Sequence, residues 1–238
     1  DLIARQIEYN TAISNEGMTG KYGVGIGPTI LDANCQSVFT KMKAYTAAGS
    51  EARMGGCILP VITNSGSGNQ GITSSIPLVT YAREEGIDEE TLYRALVLSN
   101  LMTIYQKSYV GRMSAFCAAD SSATSVAAAL TFMAGGTDCQ ISQAIQNSLA
   151  NASGIVCDGA KVSCAAKIAT ALDSGFLAHQ IAMKGLQYEA DTGILKIDVD
   201  DTIKSVGRMA AEGMRTTDME ILEIMLEEDK GTSFCEKD

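Results

Sequence analysis

Only three prolines punctuate the 238 residues, at positions 28, 60 and 77, and none follows the last of them. Proline removes a backbone donor and clashes with the preceding turn, so a long proline-free run permits long helices. The residues in that run favour them. Leu92, Leu96, Leu101, Ile104 and Tyr105 form an amphipathic run behind Asp88, a good N-cap followed by Glu89 and Glu90. Residues 112–134 are rich in alanine and other small side chains, which suits a buried helix that neighbours approach closely. Helical patterns also cover residues 1–15, 29–48, 77–85 and 161–185, and a further helix capped by Thr137 or Asp138 runs to Ser153. A short helix from Glu51 is stopped by Gly55-Gly56, Asp200 or Asp201 caps a helix to about Gly213, and Thr216 starts the last. Strand-like alternation is scarce, with Ile194 to Ile197 at most a brief extended connector. The expected fold is all-α: a helical bundle with glycine-rich loops and few or no strands.

The organisation expected is one domain over 1–229 and a flexible polar tail over 230–238. The chain opens on Asp1 directly into a helical pattern, which reads as the interior of a longer protein. A net charge of -10 without a basic run argues against nucleic acid as a partner. No stretch of about 18 uninterrupted apolar residues suggests a membrane span. No signal-peptide pattern stands at the start, so the expected location is cytoplasmic, with reduced cysteines.

Gly66, Gly68 and Gly71 formally satisfy G-x-G-x-x-G, but Pro77 follows too soon for the long helix that a dinucleotide fingerprint opens. The stretch reads better as a polar loop. Its backbone N–H groups and the side chains of Asn64, Ser65, Ser67, Asn69 and Gln70 suit a carboxylate, and a tight structural turn is the plainer alternative.

Seven cysteines stand at 35, 57, 117, 139, 157, 164 and 235. Cys35, Cys57 and Cys139 read as small buried hydrophobes. Cys157 and Cys164 flank a bend at Asp158-Gly159, and Cys117 lies on the alanine-rich helix upstream. Three thiols suggest a soft-metal site with an open position, although their spacing matches no zinc-ribbon or ferredoxin pattern. Asp158 is a supporting hydrogen-bonding group or a plain turn residue. His179, the single histidine, reads as a satisfied core or surface residue. A helical domain that is not an enzyme, binding zinc or nothing, stays open on these residues alone.

Longer motifs narrow this. Ala52-Arg53-Met54-Gly55-Gly56, Asn64-Ser65-Gly66-Ser67-Gly68-Asn69-Gln70-Gly71-Ile72-Thr73, Ser114-Ala115-Phe116-Cys117-Ala118-Ala119, Ser153-Gly154-Ile155-Val156-Cys157-Asp158-Gly159-Ala160 and Ser163-Cys164-Ala165 resemble the iron–sulfur L-serine dehydratase alpha-chain family. The likeness is strongest to its L-cysteine desulfidase-like branch and covers essentially the whole chain. It implies a [4Fe–4S] lyase acting on a small L-amino acid: serine to pyruvate and ammonia, or cysteine to pyruvate, ammonia and sulfide. Cys117, Cys157 and Cys164 match the cluster ligands, and residues 64–71 the substrate segment. The resemblance further implies an open iron acting as Lewis acid, and a homo-oligomer is expected. The desulfidase branch carries a preceding region with a Cys-Thr-Glu-Pro segment, whose cysteine is a proposed base. This sequence has no such segment, so the catalytic base is expected on an N-terminal part of the same protein, and this piece alone can be inactive. Cys235 sits near the end, where some relatives plug the open iron with a cysteine tail, but its surroundings do not match.

Overall fold

The computed structural model describes residues 2–33, 37–111 and 114–227. In chain order the helices are α1 (Leu2–Gly17), α2 (Ile26–Ala33), α3 (Val38–Met54), α4 (Gly68–Thr73), α5 (Ile76–Glu85), α6 (Glu89–Val110), α7 (Ala118–Met133), α8 (Asp138–Asn151), α9 (Cys164–Met183), α10 (Val199–Arg208) and α11 (Arg215–Leu226). A π-helical turn, Met209–Gly213, joins the last two. Among the described residues there is no sheet, only the isolated bridges Asn64–Ser67 and Phe116–Val156. The fold is all-α, as expected.

Helix α7 is the axis. Nearly all of its residues are buried, and it packs against α6, α8 and α9. Small side chains make this possible: a Cβ on Gly175 of α9 would stand 2.7 Å from the Ala123 carbonyl of α7, so the two backbones nearly touch. Several of the polar groups carried inside are satisfied within the helix or by its neighbour α6. Ser125 and Thr131 donate to the carbonyls of Ser121 and Ala127, and Gln106 of α6 donates to Ser125 Oγ at 2.9 Å. Around this axis Leu78, Leu96, Val126, Leu130, Ile168 and Leu172 form the main core. Burying each such side chain contributes roughly 1.5–3 kcal/mol.

Local signals explain most helix starts. Asp88 accepts the Thr91 N–H at 3.0 Å, and Thr137 and Gln140 form a reciprocal capping box at the start of α8. Other boundaries differ from the sequence pattern. The run expected at 29–48 is two helices, because Ser37 caps a new one, and α3 then absorbs the short helix expected from Glu51. Asp198, rather than Asp200 or Asp201, caps α10, accepting the Asp200 N–H at 2.7 Å. Leu101 and Ile104 are exposed, since α6 buries the face of Ala95, Ser99, Thr103 and Gln106 instead. Helix α11 buries none of its residues.

Cys57 is half-buried beyond the end of α3, and Cys139 is exposed in the first turn of α8, so neither is the core residue expected. Cys35, Cys235 and the tail at 230–238 lie outside the described residues. His179 is buried, with its Nδ1 2.9 Å from Thr131 Oγ1. No described helix is long and apolar enough to cross a membrane.

Candidate metal and substrate site

The alanine-rich stretch is helical only from Ala118, because the residues before it are drawn into a different pairing. The Cys117 N–H donates to the Ile155 carbonyl at 2.9 Å, and the Cys157 N–H to the Ala115 carbonyl at 2.6 Å. Between these bonds Phe116 and Val156 form the antiparallel bridge. Side chains alternate along extended backbone, so Cys117 and Cys157 leave on the face opposite Phe116 and Val156. Phe116 fills a second core cluster with Ile145, Leu149 and Val206. Cys117 is therefore the N-cap of α7, not a residue within a helix.

The third thiol is brought in by the loop that follows. Gly159, at φ +96°, turns the chain, and Cys164 opens α9. Its Sγ accepts the Lys161 N–H at 3.4 Å and donates to the Gly159 carbonyl at 3.6 Å. Asp158 is held in ion pairs by Lys161 and Lys167, and Lys167 also donates to the Val156 carbonyl at 2.8 Å. Those two lysines hold the Asp158 carboxyl down, at about 2. Asp158 thus acts as the clasp of the loop, more than a plain turn residue.

Cys117, Cys157 and Cys164 line one cavity of about 110 Å³. Ala118, Ala119, Gly159, Ala160 and Ile168 supply small or apolar walls, and Ser67, Asn69, Gln70 and Thr73 a polar one. Burial pushes the Cys117 thiol up to about 12, with the Asp120, Cys157 and Cys164 charges adding to the shift. Burial lowers Lys107, while the Cys157 and Cys117 thiols act to raise it. At Lys167 burial opposes the charge, but Asp158 and the thiols raise it overall. Lys107 and Lys167 are thus both within electrostatic reach of Cys117 and Cys157.

Asp120 completes this surround. It is 1% exposed, and burial pushes its carboxyl up to about 8 against a bond from the Ile155 N–H. One oxygen accepts that N–H at 3.2 Å, and the other has no partner among the described residues. Asp120, Lys107 and Lys167 carried no role in the sequence reading. An acidic residue in a first helical turn is ordinary, and only burial sets this one apart.

The polar wall comes from the 64–71 loop. Asn10 of α1 accepts the Ile62 N–H at 2.9 Å and donates to the Gly71 carbonyl at 3.1 Å. Asn100 of α6 accepts from the Asn64 amide at 2.9 Å. Ser67 caps α4, accepting the Gln70 N–H at 3.3 Å. Of the five residues expected to meet substrate, Ser67, Asn69 and Gln70 face the cavity, whereas Asn64 turns to Asn100 and Ser65 to Asn64. Gln70 is 2% exposed, yet neither atom of its side-chain amide has a partner among the described residues. A buried amide without partners is costly, and a ligand in the cavity would relieve it.

The donor set fits an iron–sulfur group by its chemistry: three soft thiols around one small-walled cavity, with cations beside them. Among the described residues no three Cys, His, Asp or Glu side chains are gathered as one metal ion would need. A wider groove of about 640 Å³ between the end of α8 and α9 holds no thiol, and its Asp173 is already paired with Lys43.

Comparison with known proteins gives a consistent result. The family model for the serine dehydratase alpha chain matches residues 1–223. A UPF0597 protein of Lachnoclostridium phytofermentans is 51% identical over 225 residues, covering 94% of this chain and 54% of that protein. UPF0597 proteins of Finegoldia magna and Treponema denticola are each 48% identical, over 95% of this chain and 54% of their own length. The chain spans about half the length of these relatives.

Proposed function

This chain belongs to the serine dehydratase alpha-chain family, and on that premise we propose that it is the cluster-binding part of a lyase acting on L-serine or L-cysteine. The observation that carries this reading is the convergence of Cys117, Cys157, Cys164 and the unpartnered Gln70 amide on one cavity. The three thiolates would hold a [4Fe–4S] cluster. When bound, that group supplies an open iron able to act as a Lewis acid on the substrate's β-substituent.

The chain's own residues do the rest. Lys107 and Lys167 offset the charge of ionised Cys117 and Cys157. Asp158, held by Lys161 and Lys167, keeps the 157–164 loop closed on the cavity. Gln70 and Asn69 orient a small polar substrate from the opposite wall, and Ala118, Ala119 and Ala160 limit its size. Removal of the substrate α-proton needs a base. We assign it to the part of the protein that lies beyond this chain, in keeping with relatives of about twice the length.

The test is anaerobic reconstitution of the full-length protein and of its Cys117→Ser, Cys157→Ser and Cys164→Ser variants. The wild type should take up about four irons per chain and release pyruvate from serine or cysteine, and each variant should lose both. An iron-free wild type after careful reconstitution would favour a helical domain without this activity.

A further inference from the structure

We infer that Arg53 reads the carboxylate of the amino-acid substrate, pairing with it across the 67–70 turn; this rests on the lyase reading above. Arg53 closes the last turn of α3, and its side chain is laid over the start of α4. A Cβ on Gly68 would stand 2.2 Å from Arg53 Nε and 2.8 Å from Cζ, so the guanidinium occupies the space that any side chain at 68 would need. Arg53 Nη1 donates to Asn69 Oδ1 at 3.1 Å, and Asn69 lines the thiol cavity. Glycine at 68 therefore seats a cation against the wall where Asn69 and Gln70 await a ligand.

The cation is also uncommitted. In a chain of net charge -10, Arg53 has no carboxylate partner among the described residues. Its Nη1 meets only Asn69 Oδ1 and the Met54 sulfur, a weak acceptor, while Nε and Nη2 have no partner there. Of the other cations near the cavity, Lys161 and Lys167 are paired with Asp158, and burial disfavours the charged form of Lys107. The closest acid on the same helix, Glu51, spends both oxygens on the Val24 and Ile26 N–H groups, at 2.8 and 2.7 Å. A planar fork with free donors matches a carboxylate bidentately, as an ammonium does not. The Gln70 amide, unpartnered and buried on the same wall, supplies the neighbouring donor. The α-carboxylate is the one group of a small L-amino acid that answers this charge.

The experiment is calorimetric binding to the reconstituted full-length protein of L-serine, L-cysteine and their carboxamides, which keep everything but the carboxylate charge. The wild type should prefer each acid to its amide. Arg53→Gln should weaken acid binding about tenfold to hundredfold while leaving the amide unchanged, and Arg53→Lys should recover only part. Gly68→Ala keeps the guanidinium but displaces it, so it should reproduce the Arg53→Gln pattern with an unchanged circular dichroism spectrum. Should Arg53→Gln fail to fold, Gly68→Ala carries the same comparison. An undiminished acid-over-amide preference in the folded variants would overturn the role of Arg53 and leave the lyase reading standing. A wild type that binds none of the four compounds overturns both.

Discussion

Phe116 and Val156 pair across an isolated antiparallel bridge, with Phe116 2% exposed and Val156 41% exposed. The bridge ties the start of α7 to the loop before α9, and its alternation turns Cys117 and Cys157 to the same side. Its two members should respond differently to truncation. Phe116→Ala removes a core aromatic and should cost about 3–5 kcal/mol in chemical denaturation. Val156→Ala, on the exposed face, should change stability by no more than about 0.5 kcal/mol. An equal cost for both would mean that the bridge is not anchored through Phe116.

Gly71 should tolerate no side chain. A Cβ there would lie 2.0 Å from the Ile62 carbonyl oxygen and 2.9 Å from the Thr63 Cα, both backbone atoms, and Asn10 holds Ile62 through its N–H and its carbonyl. Gly71→Ala should therefore destabilise by roughly 1–3 kcal/mol or more and disorder the wall that carries Gln70. Thermal melts and proteolysis at the 62–71 loop measure the two effects.

The helices were legible where their signals are local, as at Asp88 and Thr137, whose caps need only the residues that follow them. The beginning of α7 was not. Alanine-rich sequence favours helix throughout 112–134, but pairing of 115–117 with residues forty positions away overrides it, and that partner is invisible to local spacing. The three thiols suggested a soft-metal site from the residues alone, and the longer motifs around them made that set specific. Asp120, Lys107 and Arg53 were not legible, since their significance comes from what buries them or leaves them unpaired. Leu101 and Ile104 misled for the converse reason: their spacing is helical, but neighbours cover the adjoining face with small and polar residues.

His179 makes stability fall in mild acid. Burial lowers its pKa from 6.5 to about 4, so the folded state holds the neutral ring against Thr131. Its contribution is fully present above pH 6.5 and is lost as pH falls toward 4, because the unfolded chain binds the proton first. The loss amounts to about 3 kcal/mol at the acid end. His179→Gln should flatten that part of the denaturation profile between pH 4 and 6.5, and an unchanged slope would assign it to other groups.

Asp158 should matter to the loop far more than to global stability. Its carboxyl is held down, at about 2, by Lys161 and Lys167, so it stays ionised throughout the working range of pH. Because the pairs are partly exposed, Asp158→Asn should cost less than about 1 kcal/mol in unfolding. The same change frees the 157–164 loop, and the cluster-free variant should show faster alkylation of Cys157 and Cys164 than the wild type, with Cys117 little affected. Equal rates at all three thiols would show that the loop does not depend on this clasp.

Gln70 sets stability against binding. Its amide is buried at 2% exposure with neither atom partnered among the described residues, which penalises the empty protein. Gln70→Leu replaces it with an apolar group of similar volume, so the cluster-free protein should gain about 1 kcal/mol in chemical denaturation. The cavity wall would then lack the donor and acceptor that a small amino acid needs, and binding of L-serine or L-cysteine should weaken by about tenfold to hundredfold. A purely structural glutamine would behave in the opposite way, because losing satisfied bonds lowers stability and leaves binding alone. Gln70→Glu separates the charge from the shape: a carboxylate facing the substrate carboxylate should abolish binding even though the side chain is nearly isosteric. A stabilised Gln70→Leu variant that still binds as tightly as the wild type would remove Gln70 from the site.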